Sequence, residues 1–180
     1  MCASLNASST QAGNQSSGPE QNKIVPCLWF DGQAEEVARF YVSLFHDSAI
    51  ESVSYYGDST ASATMKKGTV LVVWFHLAGQ RFMALNGGSN YKISPAVSFV
   101  INCDTQAEID DFWEKLTADG GAPVQCGWLT DKFGVSWQVV PSSLTGMFNN
   151  GSPEQIDRMM AEVVKMVKLD KDTLEKAFAG

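Results

Sequence analysis

The most chemically suggestive stretch of the chain is an aromatic hairpin with a glutamine at its centre, residues 125–141. It reads as an apolar run up to Leu129, a turn over 130–134 and a second run over 135–140 that Pro141 stops. Alternation along a strand puts Ser136, Gln138 and Val140 on one face and Val135, Trp137 and Val139 on the other. If the second face packs on a helix, the first lines a concavity, and Gln138 is its most polar point. The other candidates for chemistry carry less. His46 falls at the end of an apparent helix, where a cation near the negative end of the dipole is the simple reading. His76 sits among strand residues beside Trp74 and Phe75, facing either core or cavity. Glu35-Glu36 and Asp110-Asp111 lie on amphipathic helices, where a solvated face explains them better than paired acid and base carboxylates.

Motifs that would announce a reaction are missing from the sequence. There is no GxSxG elbow, Walker loop, HExxH pair or EF-hand loop, and no Gly-rich GxGxG turn of the kind a doubly wound nucleotide-binding sheet uses. The four cysteines, Cys2, Cys27, Cys103 and Cys126, have neither CxxC nor metal-ligand spacing. Three of them lie in or beside strand-like segments, where a free Cys behaves as a small buried apolar residue, so a reducing, cytoplasmic setting is expected. A formal charge of −7 argues against nucleic-acid or anionic-membrane partners. The longest apolar run, residues 70–77, is too short to cross a bilayer.

The elements that must position these residues follow from periodicity. Residues 1–22 are Ser, Asn, Gln, Ala and Gly-rich and are expected to be disordered. Residues 24–30 form a strand, and 33–45, with Ala34, Val37, Ala38, Tyr41, Leu44 and Phe45 at helical spacing, an amphipathic helix. Strands follow at 50–56, 70–77 and 81–85, the last two joined by a tight hairpin at 78–80. The order then repeats: a strand at 96–101, a helix at 105–119 opened by a Thr105/Glu108 capping box, and the aromatic hairpin. Pro26 to Phe30 lies over Pro95 to Phe99 at an offset of 69 (95 minus 26), and Gln33-Ala34-Glu35 over Gln106-Ala107-Glu108 at 73 (106 minus 33). Four extra residues (73 minus 69) are therefore expected in the second strand-helix connection. Arg81 to Leu85 lies over Ser136 to Val140. Two tandem βαβββ units, 23–90 and 91–150, result, since one alone could hardly close a core. Residues 151–180 make a helical tail with Ile156, Met159, Met160, Val163, Val164 and Val167 on one face, a lid or a brace.

The paired units, the Leu85-Asn86-Gly87-Gly88 strand end, the stretch Pro95 to Val100, the hairpin from Cys126 to Pro141 and the Met-rich tail together resemble the PhnB-like branch of the vicinal oxygen chelate superfamily, relatives of glyoxalase I, extradiol dioxygenases and the bleomycin- and fosfomycin-resistance proteins. The resemblance, from about residue 23 onward, implies an α+β fold of antiparallel-rich sheets curled around a cavity, with units paired in one chain or exchanged between two. It also implies metal ligands on the first and last strands of each unit. Carried across by the repeat, those positions are Trp29, Met83, Ser98 and Gln138. Only Gln138 keeps a ligand-type side chain, a weak neutral donor, so neither the family metal nor another cofactor is expected. The methyltransferase label that some relatives carry finds no support in the residues. Two readings stay open. One is a homodimeric module binding a small apolar or aromatic molecule among Trp29, Met83, Ser98 and Gln138, with Trp74 and Trp128 as neighbours. The other is a glyoxalase- or dioxygenase-type enzyme, metal-dependent or metal-free. The same side chains serve equally well as filling.

Overall fold

The computed structural model describes residues 23–61 and 65–180. The expectation for residues 1–22 lies outside them. The first unit runs β1 (Cys27–Phe30), α1 (Ala34–Leu44), β2 (Ala49–Tyr55), β3 (Val70–Leu77) and β4 (Gln80–Asn86). The second runs β5 (Ser98–Cys103), α2 (Gln106–Thr117), β6 (Ala122–Pro123), β7 (Trp128–Thr130) and β8 (Ser136–Pro141). A tail of α3 (Ser143–Asn150), α4 (Pro153–Val163) and α5 (Lys171–Ala179) follows. Each unit makes one four-stranded sheet, in the orders β1-β4-β3-β2 and β5-β8-β7-β6. The first strand of each sheet lies parallel to the last; the other pairings are antiparallel. The tandem βαβββ architecture is thus the one the sequence implies.

Local chemistry explains the elements. The β3–β4 hairpin turns on Ala78 and Gly79, both at positive φ (45° and 83°), the conformation whose twist suits a two-residue connection. Helix α2 carries the expected capping box, Thr105 with Glu108. Helix α1 has no side-chain cap from Gln33; instead the buried Asn86, at the end of β4, accepts from the backbone N–H of Ala34 at 2.9 Å and donates to the carbonyl of Val70 at 3.0 Å.

The repeat is more regular than the sequence alignment implies. With β4 laid on β8 at an offset of 55 (136 minus 81), the buried pairs Phe82/Trp137 and Ala84/Val139 coincide. The ladder partner of Met83 is Cys27 and that of Gln138 is Val100, an offset of 73 (100 minus 27). No four-residue insertion exists: residues 31–33 join strand to helix in the first unit and 104–105 in the second. The match of Pro26 to Phe30 with Pro95 to Phe99 is a likeness of residue type out of register, so Trp29 corresponds to Asn102 and not to Ser98.

One core serves both units. Leu28, Phe30, Val73, Phe75, Phe82 and Ala84 from the first sheet and Ile101, Leu129, Trp137 and Val139 from the second belong to a single buried cluster with α1 and α2. Rings continue across the boundary, Phe82 to Phe99 at 5.2 Å, Tyr41 to Trp137 at 5.1 Å and Phe45 to Phe112 at 4.9 Å. At the centre Asp131 is 3% exposed and accepts four hydrogen bonds: from the Tyr41 hydroxyl (2.6 Å), the Trp137 indole (2.8 Å) and the backbone N–H groups of Phe133 and Val135 (2.9 and 3.0 Å). A buried carboxylate is tolerable only when satisfied in this way.

The tail builds a second, smaller core on the second sheet, from Val140, Met147, Met159, Val163, Leu169 and Leu174. Backbone N–H groups of Cys126 and Gly127 donate to the carbonyls of Met166 and Val167, both at 2.8 Å. The expected Met-rich stripe is shorter than its sequence period: α4 ends at Val163, and Val164 and Val167 are exposed. The expectation that the three strand-associated cysteines are buried holds for Cys103 alone; Cys126 is half-buried and Cys27, on the edge strand β1, is exposed.

Replacing Asp131 with Ala strands four buried donors, and urea unfolding at pH 7.5 should show a loss of about 3 kcal/mol or more. Burial, and then the adjacent Asp131 charge, hold the Tyr41 phenol well above its ordinary pKa. Because the folded value is raised, the stability it carries is complete below the unfolded-state pKa of about 10 and is lost as pH rises beyond it. Unfolding midpoints measured from pH 8 to 11 should fall steeply above pH 10 in the parent and less steeply in Tyr41→Phe, which starts lower at pH 8 because Asp131 has lost a donor.

Candidate functional site

Side chains that alternate away from the shared core define an open face on each sheet. On the first sheet it carries Cys27 and Trp29 from β1, Trp74 and His76 from β3, and Arg81 and Met83 from β4. On the second it carries Ser98, Val100 and Asn102 from β5, Trp128 from β7 and Gln138 from β8; Ser136 and Val140 share that side of β8 but are buried, Val140 beneath the tail. The six residues expected to line a cavity, Trp29, Met83, Ser98, Gln138, Trp74 and Trp128, are all half-buried and all lie on these faces. The structure joins Ser98 to Gln138, whose amide donates to the hydroxyl at 2.9 Å. Trp128 lies directly across the ladder from Gln138, and Trp74 directly across from Met83. Among the described residues no hydrogen bond or ring contact connects the first-sheet group to the second-sheet group; each face is turned away from the core that joins the units.

Trp29 is locked in place by three contacts. Its indole N–H donates to the carbonyl of Gly88 at 2.7 Å, its ring meets Tyr91 edge-on at 5.0 Å, and it lies so close to Gly87 that a Cβ there would fall 2.1 Å from Cζ2. Glycine at position 87 is therefore required by the ring. Trp74 is also covered: the Arg81 guanidinium lies 4.4 Å from its ring centroid and is held by Glu51 at 2.7 Å. His76 faces the open side, with Nδ1 3.8 Å from Glu51. Sequence reasoning missed Glu51, Arg81, Gly87 and Tyr91. Glu51 reaches this group because a register shift between Ile50 and Ser52 interrupts the β2–β3 ladder. No pattern of residue types announces that bulge.

These side chains do not fit a divalent metal at the place the fold would put one. Whichever register is used, the open faces of the first and last strands offer thioether, thiol, hydroxyl and amide groups and no imidazole or carboxylate, which such ions require in convergent sets. The Trp29 indole is a donor only, and it is already engaged. Desolvation raises the Cys27 thiol, disfavouring the thiolate a metal would need. The buried Cys103 thiol, on the core side of β5, is pushed up to about 12 by desolvation and then by Glu108 and Asp104. His46, just beyond α1, is exposed and lies near Val100 and Asn102 at the border of the second face, where no second imidazole among the described residues joins it.

Comparison with known proteins places this arrangement. The family model described as 3-demethylubiquinone-9 3-methyltransferase matches residues 22–140. A PhnB protein from Bacillus cereus, provisionally described as a 3-demethylubiquinone-9 3-methyltransferase, is 39% identical. The alignment covers 67% of this chain and 99% of that one, with a TM-score of 0.60. A Pseudomonas aeruginosa protein is 25% identical over 66% of this chain and 96% of its own, with a TM-score of 0.55. The fosfomycin resistance protein FosX from Mesorhizobium loti is more distant, at 13% identity and a TM-score of 0.47 over 72% of this chain and all of that one. No curated protein matches.

Gly87→Ala should expel the Trp29 ring from its slot. The expected result is a lower unfolding midpoint, by about 1–3 kcal/mol, with a shift in tryptophan emission that Trp29→Phe in the same background abolishes. Shared sequence over both units, the shared fold and the motifs named at the outset agree: the chain belongs to the PhnB-like family, within the vicinal oxygen chelate superfamily.

Proposed function

We propose that the protein is a homodimeric binding module in which two copies bring their open faces together around a small apolar or aromatic molecule, with no divalent ion at the family position. The observation that carries this reading is the composition of the open faces: three tryptophans, a methionine and one hydrogen-bonded Ser98–Gln138 pair. Half-buried aromatic walls with few polar groups suit an apolar ligand, and the Gln138 carbonyl, which takes no hydrogen bond among the described residues, suits one donor group upon it. A second copy is invoked because each face of a single chain is one wall. Both β1 and β5 are edge strands, and Val97 and Val100 are 68% and 51% exposed. Open edges and exposed valines are what a partner copy would cover.

The name given to the matching family raises a methyltransferase reading for this chain. It draws no support from the residues: the sequence has no Gly-rich turn of the nucleotide-binding type, and the sheets are not doubly wound. A glyoxalase- or dioxygenase-type reaction remains the alternative; the Gln138 carbonyl at the heart of the hairpin is its one favourable feature.

The test combines metal analysis, sedimentation and thermal shift on the parent and Gln138→Ala. The expected outcome is a dimer in both, no stoichiometric divalent ion, and stabilisation by aromatic compounds that weakens in the variant. A bound divalent ion that leaves when Gln138 is replaced would overturn the proposal in favour of metal-dependent catalysis.

A further inference from the structure

A cavity of about 550 Å³ opens where the two units meet, bordered by Val100 and Asn102 of the second open face but lined by none of Trp29, Met83, Ser98 or Gln138. Its walls are aromatic and come from both units. Phe45 follows α1 and Phe82 lies on β4, while Phe99 lies on β5 and Phe112 on α2. Its rim is acidic: Asp47 and Glu108 line it together with His46, and no lysine or arginine does. The volume falls in the range that holds a small organic ligand.

We propose that this seam is a second small-molecule site, selective for an apolar ring bearing an amine. The chemistry is complementary at both ends. Phenylalanine faces accept a ring edge and attract a cation, and the two carboxylates supply the countercharge at the mouth. One of the two acids is held before any ligand arrives. One oxygen of Glu108 accepts from the backbone N–H groups of Asp104 (2.6 Å) and Thr105 (3.2 Å), fixing the carboxylate at the start of α2. Asp47 sits on a left-handed backbone (φ 49°), and its exposed carboxylate, with no partner among the described residues, is left to pair with a cation. A carboxylate that needs no reordering, as at Glu108, lowers the entropic cost of binding. An anionic ligand of the same shape meets two like charges.

The experiment is calorimetric titration of the full chain with tryptamine, and with tryptophol and indole-3-propionate as neutral and anionic counterparts. The variants are the double substitution Asp47→Asn/Glu108→Gln and, as a charge control outside the cavity lining, the separate Glu114→Gln on α2. Asparagine tolerates the left-handed backbone and glutamine preserves the capping box, so unfolding midpoints should stay near the parent value. Saturable binding of tryptamine is expected, with the neutral analogue weaker and the acid weakest. The double variant should bind tryptamine on the order of tenfold less tightly. Glu114→Gln should bind it as the parent does, which separates the two seam carboxylates from the general negative charge of α2. Four results would each overturn the proposal: no saturable binding, equal binding of the acid, no change in the double variant, or an equal loss in Glu114→Gln. A fifth is binding that disappears as the protein associates, since a second copy would then be the occupant.

Discussion

A carboxylate that cannot reach water sits between the two halves of this protein, and the architecture follows from satisfying it. Asp131 belongs to the second unit's hairpin, yet its shortest hydrogen bond comes from Tyr41 on the first unit's helix. An isolated charge in such a place would cost several kcal/mol, and the four donors offset that cost only while helix, hairpin and indole keep their mutual positions. Ring contacts among Tyr41, Phe45, Phe82, Phe99, Phe112 and Trp137 then fill the space around it. The carboxylate contributes geometric exactness, and the rings contribute most of the buried apolar area.

That arrangement fixes what each sheet has left to offer. A sheet has two faces, and once the helix-bearing faces share one core the others must turn outward. The same alternation that buries Phe82, Ala84, Trp137 and Val139 therefore presents Met83 and Gln138. The tail modifies only one side of this symmetry. It folds onto the end of β8, where Val140 joins Met147, Met159 and Leu169, and its residues 166–167 pair with the backbone at Cys126 and Gly127. It is a brace on its own second unit.

Much of this was legible in the sequence. Helix period, strand alternation, the hairpin at Ala78-Gly79 and the capping box at Thr105 are local signals, and local physics decides them. The face assignments around Gln138 were readable because a strand has period two whatever it packs against. The register between copies was not: Pro26 to Phe30 resembles Pro95 to Phe99 in residue type, and only the ladder reveals that Cys27 and Val100 are the equivalent positions. The tail's stripe was overextended because a helical period in the sequence does not mark where the helix stops. Partnerships across the fold were also hidden. Nothing near Asp131 in the sequence announces Tyr41, ninety positions away, and nothing near Trp74 announces that Glu51 holds an arginine over it.

The two open faces have diverged in kind. On the first sheet the tryptophans are already occupied by the protein itself: Trp29 is wedged against Gly87 and bonded to Gly88, and Trp74 lies beneath Arg81. Filling of this sort rigidifies a wall and removes its polar reach. On the second sheet Ser98 and Gln138 spend one hydrogen bond on each other and retain an acceptor, beside an exposed Val100. If the proposed module binds a ligand, a polar group on it would meet the second sheet, and the first would contribute shape. In the proposed pocket, built from one face of each, no ion would be needed to organise the walls, because backbone contacts at Gly87 and Gly88 already hold one and the Ser98–Gln138 hydrogen bond orients the other.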